Sequence, residues 1–527
     1  MDSMSEETWE VRERNLWSLN LMPVRGTRER LEALESIQPI LEAAIISGMR
    51  GVFLDTETLD KLFEIAGISN QHPTNSSGAR TIAGIEEENI TPAPRPHGLS
   101  HYDLAAFPME ARDVDMELEV HFDITGNSIT EGRMSDILSC FNDRLATIRK
   151  MLIDSRCLPY RPTQIGEVSM NKPRFREEDC TLIGIVNSPA HTKRHGHLRF
   201  VLEDEGAEIE CIMFNREEYG EEHPLHTGLM PDDVVGVLGR LKSDRGKRDT
   251  FIVENIYFPP LQQHEKNSAP ADQAVSVAFL SDVHLGSKTF LDAQWHKMVE
   301  WFNTDPLART IRYFVISGDG VDGVGIYPNQ EKELAIPDLF NQYGGLAKLL
   351  EPLPDWVDVL LLPGNHDAVR PAEPQPALDP ELQQDYNNTT FVGNPCDFSL
   401  HGVRILSYHG KSIDDFVSKM RNVSYDRPEA AMRAMIDRRH LAPSWGAKTP
   451  LSPEPEDNLV IRTIPDIFVT GHVHGHHVSD YKGVKLIHSS TWQDQTGYQR
   501  TLGFQPRPAI LTVVNLHTHE TASIPFA

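Results

Sequence analysis

Cysteine is scarce in this sequence and scattered. The five cysteines are Cys140, Cys157, Cys180, Cys211 and Cys396, and no two form a C-x-x-C pair. That spacing argues against a zinc ribbon and a disulfide framework, and it points to a reducing compartment. Long apolar runs are also missing. No stretch of 18 apolar residues occurs, so no membrane span is indicated. Met1 to Asn20 is polar and acidic. It lacks the basic-then-apolar order of a secretory signal, and a cytoplasmic location is expected. Positive charge is in deficit: 50 Lys and Arg stand against 77 Asp and Glu, a formal net charge of −27. Such a chain repels phosphate backbones unless metal ions, a local basic patch or a basic partner intervene. A salt-adapted composition produces the same balance, so charge alone selects no function.

What is present divides into four parts, and 527 residues suffice for about three domains. Residues 1–70 read as a helical N-terminal module, with 1–20 expected to be disordered and Met22 a second candidate start. Leu31, Leu34, Ile37, Ile40, Leu41 and Ile45 mark one helical face between Thr27 and Gly48, and a shorter helix is predicted from Thr56 to Ala66. This module is either a docking piece or a packed appendage. Residues 71–114, rich in Pro, Gly, Ser, Thr and Asn, read as a flexible linker. Residues 115–270 are expected to hold an alternating strand, Met116–Phe122, and a helix from Met134. That helix should bury Ile137, Leu138, Phe141, Leu145, Ile148 and Leu152. Five short strand-like runs then lie between Cys180 and Phe258, which suits an OB-type barrel. Its basic loops carry Lys193, Arg194 and His195, and Lys242, Arg245, Lys247 and Arg248. Those loops could meet single-stranded nucleic acid or be ordinary solvated charges, and the barrel could equally dock a partner protein.

Residues 271–527 carry the chemistry. Five apolar strands are predicted here, and each ends in polar residues beside glycine. The ends read Asp282-Val-His284, Gly318-Asp319, Gly364-Asn365-His366-Asp367, His409-Gly410 and Gly471-His472-Val-His474. In α/β sheets ligands bind at such strand ends. One Asp or His there is commonly a capped loop residue. Five in succession, each where glycine lets the backbone turn, predict a site for two divalent cations. Carboxylates, imidazoles and an amide suit Mn²⁺, Fe²⁺ or Zn²⁺ better than a thiolate-seeking metal. Gly318-Asp-Gly320-Val-Asp-Gly323 also spells a dinucleotide fingerprint. No helix start follows it, and an Asp would face the pyrophosphate, so that reading is rejected.

The order D-x-H, G-D-x-x-D, G-N-H-D, H-G, G-H-x-H resembles the calcineurin-like metallophosphoesterases, a two-sheet α/β sandwich. The flanking stretches Leu362–Pro376, Ser407–Asp415 and Ser490–Thr496 are similar to the small, exonuclease subunit of archaeal family-D DNA polymerase, over about residues 115–527. The resemblance implies one ion held by Asp282, His284, Asp319 and His474. A second would be held by Asp319, Asn365, His409 and His472, with Asp319 shared. It implies Mn²⁺ first, with Mg²⁺, Fe²⁺ or Zn²⁺ as substitutes. His366 would serve the leaving 3′ oxygen or the developing charge, with Asp322 orienting it or merely capping a loop. Arg370 would touch a substrate phosphate or form a surface ion pair. His476, His477 and His488 have no place in the pattern and are expected to be structural. The implied partners are a large catalytic subunit, DNA with a 3′ end and the sliding clamp, with no membrane. Two other readings stay open: a non-catalytic scaffold of the B type found in eukaryotic replicative polymerases, and a repair nuclease of the same superfamily. Protein phosphatases are disfavoured, because Gly323 and Asp367 stand where their arginine and glutamate would be.

Overall fold

The computed structural model divides into two compact units, residues 1–91 and 92–527. It describes residues 16, 22–23, 31, 36–47, 53–54 and 56–66 of the first unit. In the second it describes 110–527 except 217–222, 224–227, 243–247, 262–270, 272–274 and 503–504.

In the first unit α1 is Gln38–Ser47 and α2 is Thr56–Ile65. Ile37, Ile40 and Leu41 pack with Leu31, Leu59, Leu62 and Phe63 in one core, as helical spacing requires. The side chains of Leu34 and Ile45, and residues 71–109 of the expected linker, lie outside the described residues.

The second unit opens with β1, Leu118–Phe122, and α3, Met134–Asp154. Strands β2 (Cys180–His191), β3 (Leu198–Glu203), β4 (Glu208–Met213), β5 (Val234–Lys242) and β6 (Thr250–Tyr257) close a barrel in the order β2-β3-β4-β6-β5. The third and fifth of these strands pair in parallel and the other pairs are antiparallel. The barrel core holds Leu182, Phe200, Leu202, Val235, Val237 and Phe251.

Two six-stranded sheets follow. One is built on β7 (Ser276–Leu280), β8 (Ile311–Ser317), β9 (Asp358–Leu362) and β10 (Thr389–Phe391). These are parallel and adjacent. The second is built on β11 (Cys396–Leu400), β12 (Val403–Ser407), β13 (Ile467–Thr470), β14 (His476–Tyr481) and β15 (Val484–Ser489). Strands β16 (Ile510–Asn515) and β17 (Thr521–Pro525) complete the first sheet. Every residue of β7 is buried, as a near-continuous apolar strand covered on both faces should be. Phe279, Val315 and Leu360 of one sheet share a core with Phe398, Ile405, Val469 and Ile487 of the other. The sheets therefore stack face to face.

The structure corrects the sequence reading in three places. The last residues of the expected linker are not linker, because Ala111–Asp113 form a 3-10 turn and Ala111 and Val114 are buried in the core between the sheets. Strand β1 does not belong with the barrel. It pairs antiparallel with β11 and forms an edge of the second sheet. The register places Leu118 opposite Leu400 and Val120 opposite Phe398, so the strand gains apolar cross-strand neighbours there. On α3 Leu145, Ile148 and Leu152 are buried as expected, but the first turns differ. Leu138 is 61% exposed, whereas Arg144 is 1% exposed. The guanidinium lies 2.6 Å from Asp457 and donates to the carbonyl of Pro443. His440 reaches the same carboxylate at 3.0 Å. A buried charge persists only when paired and hydrogen-bonded, and here the pairing pins α3 to the segment after Arg439. Arg438 to Asp233, at 3.2 Å, adds a second tie between the barrel and the sheets. After the glycine-rich stretch at 318–323 the next α-helix is Leu339–Leu350, α4, so no helix opens where a dinucleotide fold needs one.

Candidate metal centre

Strands β7, β8 and β9 run parallel side by side, so their C-terminal ends share one edge. The same holds for β12 and β13 of the facing sheet. Asp282 and His284 follow β7, Asp319 follows β8, and Asn365 and His366 follow β9. His409 follows β12, and His472 and His474 follow β13. Five residues of this set, Asp282, His284, Asp319, His472 and His474, have φ between 51° and 77°. Non-glycine residues rarely adopt that left-handed region, and such strain concentrates at functional sites. Glycine is needed where the ligands crowd together. A Cβ on Gly364 would run into the Asp319 carboxylate and the His409 ring, and one on Gly471 would strike Ser281 and Asp282.

The side chains expected as ligands converge as two overlapping clusters, and His366 joins His284 and Asp319 in a third such group. In the first, His284 Nε2 lies 3.1 Å from His474 Nε2, 3.8 Å from Asp282 Oδ1 and 3.8 Å from Asp319 Oδ2. His474 Nε2 is 3.4 Å from Asp282 Oδ1. In the second, His409 Nε2 lies 3.3 Å from Asp319 Oδ2 and 3.1 Å from Asn365 Oδ1. His472 presents a ring nitrogen within 4.8 Å of donor atoms on Asp319 and His409. One oxygen, Asp319 Oδ2, faces both clusters. The other, Oδ1, accepts from the His366 backbone N–H at 2.8 Å. All seven residues expected as ligands are thus brought together.

The ring nitrogens that face away from the clusters are occupied, and this fixes each imidazole. His284 Nδ1 meets Asp322 at 3.0 Å, and His409 Nδ1 donates to the Ser317 carbonyl. The Gln499 amide holds His474 Nδ1, and Asp414 lies 3.4 Å from His472 Nε2. Such outer partners orient a metal-binding imidazole. Asp414 and Gln499 carry no signal in the sequence, because only the folded chain brings them to these rings.

Electrostatics tell the same story. Burial disfavours the charged His284 imidazole, but Asp282, Asp322 and Asp319 outweigh it and push the pKa up to about 10. His409 rises to about 9 by the same contest between burial and the Asp319 and Asp282 carboxylates. Burial also opposes ionisation of Asp282 and Asp319, yet the neighbouring imidazoles hold both below the usual carboxylate range. Burial, then Lys411, takes His472 down to about 4. The carboxylates thus draw positive charge into a site where water cannot supply it. Protonated imidazoles provide that charge in the metal-free chain, and divalent cations would provide it by displacing those protons. The donor set fits two such ions.

His366 is held differently. Its Nδ1 donates to the Asp322 carbonyl at 2.8 Å, which leaves Nε2 free of that bond. Burial, outweighing the nearby carboxylates, lowers its pKa. The expected pairing of the Asp322 carboxylate with His366 is therefore divided. The backbone oxygen of Asp322 orients His366, while its carboxylate stands 4.0 Å from that ring and accepts from His284, Gln330 and Gln493. Of the two expectations for Arg370, the structure shows the ion pair, with Glu454 at 3.2 Å. Its donors go to the Pro374 carbonyl, Ser128 and Glu454, so it ties the turn after β1 to the second sheet's loops. Asp367, the last residue of the G-N-H-D stretch, accepts from Gly364 N and Tyr343 Oη and shapes the loop. His476 bonds Thr512 and His488 bonds Thr470, in keeping with structural roles. Lys193 and Arg194 on the barrel are exposed, Arg248 lies 3.5 Å from Glu210, and Arg245 and Lys247 fall outside the described residues.

Comparison with known proteins agrees with this layout. Residues 277–478 match the family model for the B-type subunit of DNA polymerases alpha and epsilon, and residues 180–258 match that of the OB-fold nucleic acid binding domain. The DNA polymerase II small subunit of Archaeoglobus fulgidus is 35% identical over 90% of this chain and 92% of its own length. That of Halobacterium salinarum is 34% identical over 90% and 91%. That of Methanothermobacter thermautotrophicus is 37% identical over 76% and 82%. Identity at this level across nearly the whole length, over a barrel and a paired-sheet unit in the matching order, means that the chain belongs to the family of DNA polymerase II small subunits.

Proposed function

We propose that this chain is the proofreading 3′→5′ exonuclease of a two-subunit replicative DNA polymerase, with the two-sheet unit a calcineurin-like metallophosphoesterase. One observation carries the reading: Asp319 Oδ2 is shared between His284 Nε2 and His409 Nε2, at 3.8 and 3.3 Å. Asp282, His284, Asp319 and His474 would hold one divalent cation. Asp319, Asn365, His409 and His472 would hold the other, with Mn²⁺ the first candidate. When bound, such a pair activates water near neutral pH and stabilises charge on the phosphate during in-line displacement. The chain's own residues do the rest. In the reaction a water oxygen bonds to phosphorus and the bond from phosphorus to the penultimate O3′ breaks. A 5′-mononucleotide leaves and a new 3′ hydroxyl remains. His366, held through Nδ1–H, takes up a second proton at Nε2 from solvent and delivers that proton to the departing O3′. The Asp322 carbonyl keeps that ring in place.

A scaffold role is the second reading, favoured by the net charge of −27, which makes DNA capture depend on a partner. Against it stands the completeness of the converging donor set. The test is to purify the chain with and without its large subunit and supply Mn²⁺ with a 3′-mismatched primer. Mononucleotide release that disappears in His366→Ala and Asp319→Ala supports the nuclease, provided His366→Ala still binds Mn²⁺. Full activity in both variants refutes the site. Tight association with the large subunit without cleavage under any metal establishes the scaffold.

A further inference from the structure

We infer that the loop 323–327 is a platform on which the 3′-terminal nucleobase rests, so that the site accepts an unpaired end. The inference builds on the nuclease reading above and names the feature of the substrate that its site selects.

The loop lies against the residue that carries the free imidazole. A Cβ on Gly323, φ +73°, would strike the His366 carbonyl oxygen and crowd Ile326. The ring of Tyr327 sits 6.3 Å from that of His366. The base of the loop is fixed from both sides by buried amides. Gln342 accepts from Gly323 N at 2.9 Å and donates to the carbonyls of Gly323 and Ile336 at 3.1 and 2.7 Å. Gln330 accepts from Ile326 N at 2.9 Å and donates to the Asp322 carbonyl at 2.8 Å. Tyr327 Oη donates to Glu333 at 2.9 Å.

The tip of this fixed loop is nevertheless apolar and open to solvent. Val324 is 46% exposed and Ile326 is 39% exposed. Single exposed apolar side chains are common, so exposure alone decides nothing. Here two branched side chains stand on a rigid support at the rim of a site built from carboxylates and imidazoles. The nucleotide whose phosphate occupies that site must place its base within one residue's reach. A base has flat apolar faces, and it gains by burying one against such a surface whatever its sequence identity. To reach it the base must leave its partner strand, which costs least at a mismatch.

The test uses the complete two-subunit complex with Mn²⁺ and two single-stranded oligonucleotides. One ends in an ordinary nucleotide and the other in an abasic residue. For the unaltered protein kcat/KM should be roughly tenfold higher on the ordinary end, carried by KM, as expected for burying one base face against two aliphatic side chains. In the double variant Val324→Ser, Ile326→Ser that ratio should fall to about one while Mn²⁺ affinity is retained. Equal rates on both ends in the unaltered protein overturn the inference, as does a ratio unchanged in the variant. Loss of large-subunit association in the variant would make the loop an interface with that partner and also overturn it. Cleavage of neither oligonucleotide by the unaltered complex is a different outcome: it removes the nuclease reading, and the platform falls with it.

Discussion

Asp322→Asn separates two roles that the sequence leaves joined. The carboxylate lies 3.0 Å from His284 Nδ1, and its backbone oxygen lies 2.8 Å from His366 Nδ1. Asparagine keeps the shape and the carbonyl but removes the negative charge behind His284. Outer carboxylate partners of a metal-bound imidazole are typically worth 10- to 100-fold in metal affinity, about 1.4–2.8 kcal/mol. The dissociation constant for Mn²⁺, measured by calorimetric titration at pH 7.5, should therefore rise by roughly 10- to 100-fold. Nuclease activity should return at saturating Mn²⁺, because His366 keeps its anchor. An unchanged Mn²⁺ affinity with a lowered kcat that excess metal does not restore would place the carboxylate's action on His366. The geometric argument would then be wrong.

Three further outcomes follow from the same geometry. His284 and His409 have folded pKa values of about 10 and 9 in the metal-free chain, against roughly 6.5 in an unfolded one. Their stabilising contribution is complete below the unfolded value and fades as pH rises through 9 to 10. The melting temperature of the metal-free protein should fall between pH 7 and 9.5, and Mn²⁺ should remove most of that fall. A metal-free Tm that does not change with pH would count against it. Gly364→Ala drives a methyl group into Asp319 and His409, so Mn²⁺ affinity should drop at least about tenfold with the far-ultraviolet circular dichroism unchanged. Arg370→Ala should leave KM for DNA unaltered and cost about 1–3 kcal/mol in chemical denaturation, because the Pro374 carbonyl and the buried Glu454 each lose the guanidinium as a donor. A tenfold rise in KM would return Arg370 to the substrate.

Much of the site was readable from the chain because its signals are local. An apolar run ending in glycine and a ligand-type residue encodes a strand, a sharp turn and a donor within a few positions. Asp282, Asp319, Asn365, His409 and His472 therefore stood out as a series though none did alone, and their convergence at one edge follows from parallel pairing of β7 with β8, β8 with β9, and β12 with β13. The barrel was legible for the same reason, since five short strands with brief turns leave few other ways to close. Tertiary packing alone decided the rest. Strand β1 finds its partner across more than two hundred residues, and nothing in its alternation says which edge it will join. Arg144 is buried because Asp457 and Pro443 arrive beside it. Asp322 turns its side chain to His284 and its carbonyl to His366, and Arg370 spends its donors on Glu454 and Pro374. Sequence determines which residues stand at the ends of strands. Which atom of a residue faces which neighbour depends on how distant segments settle against one another, and no local pattern carries that information.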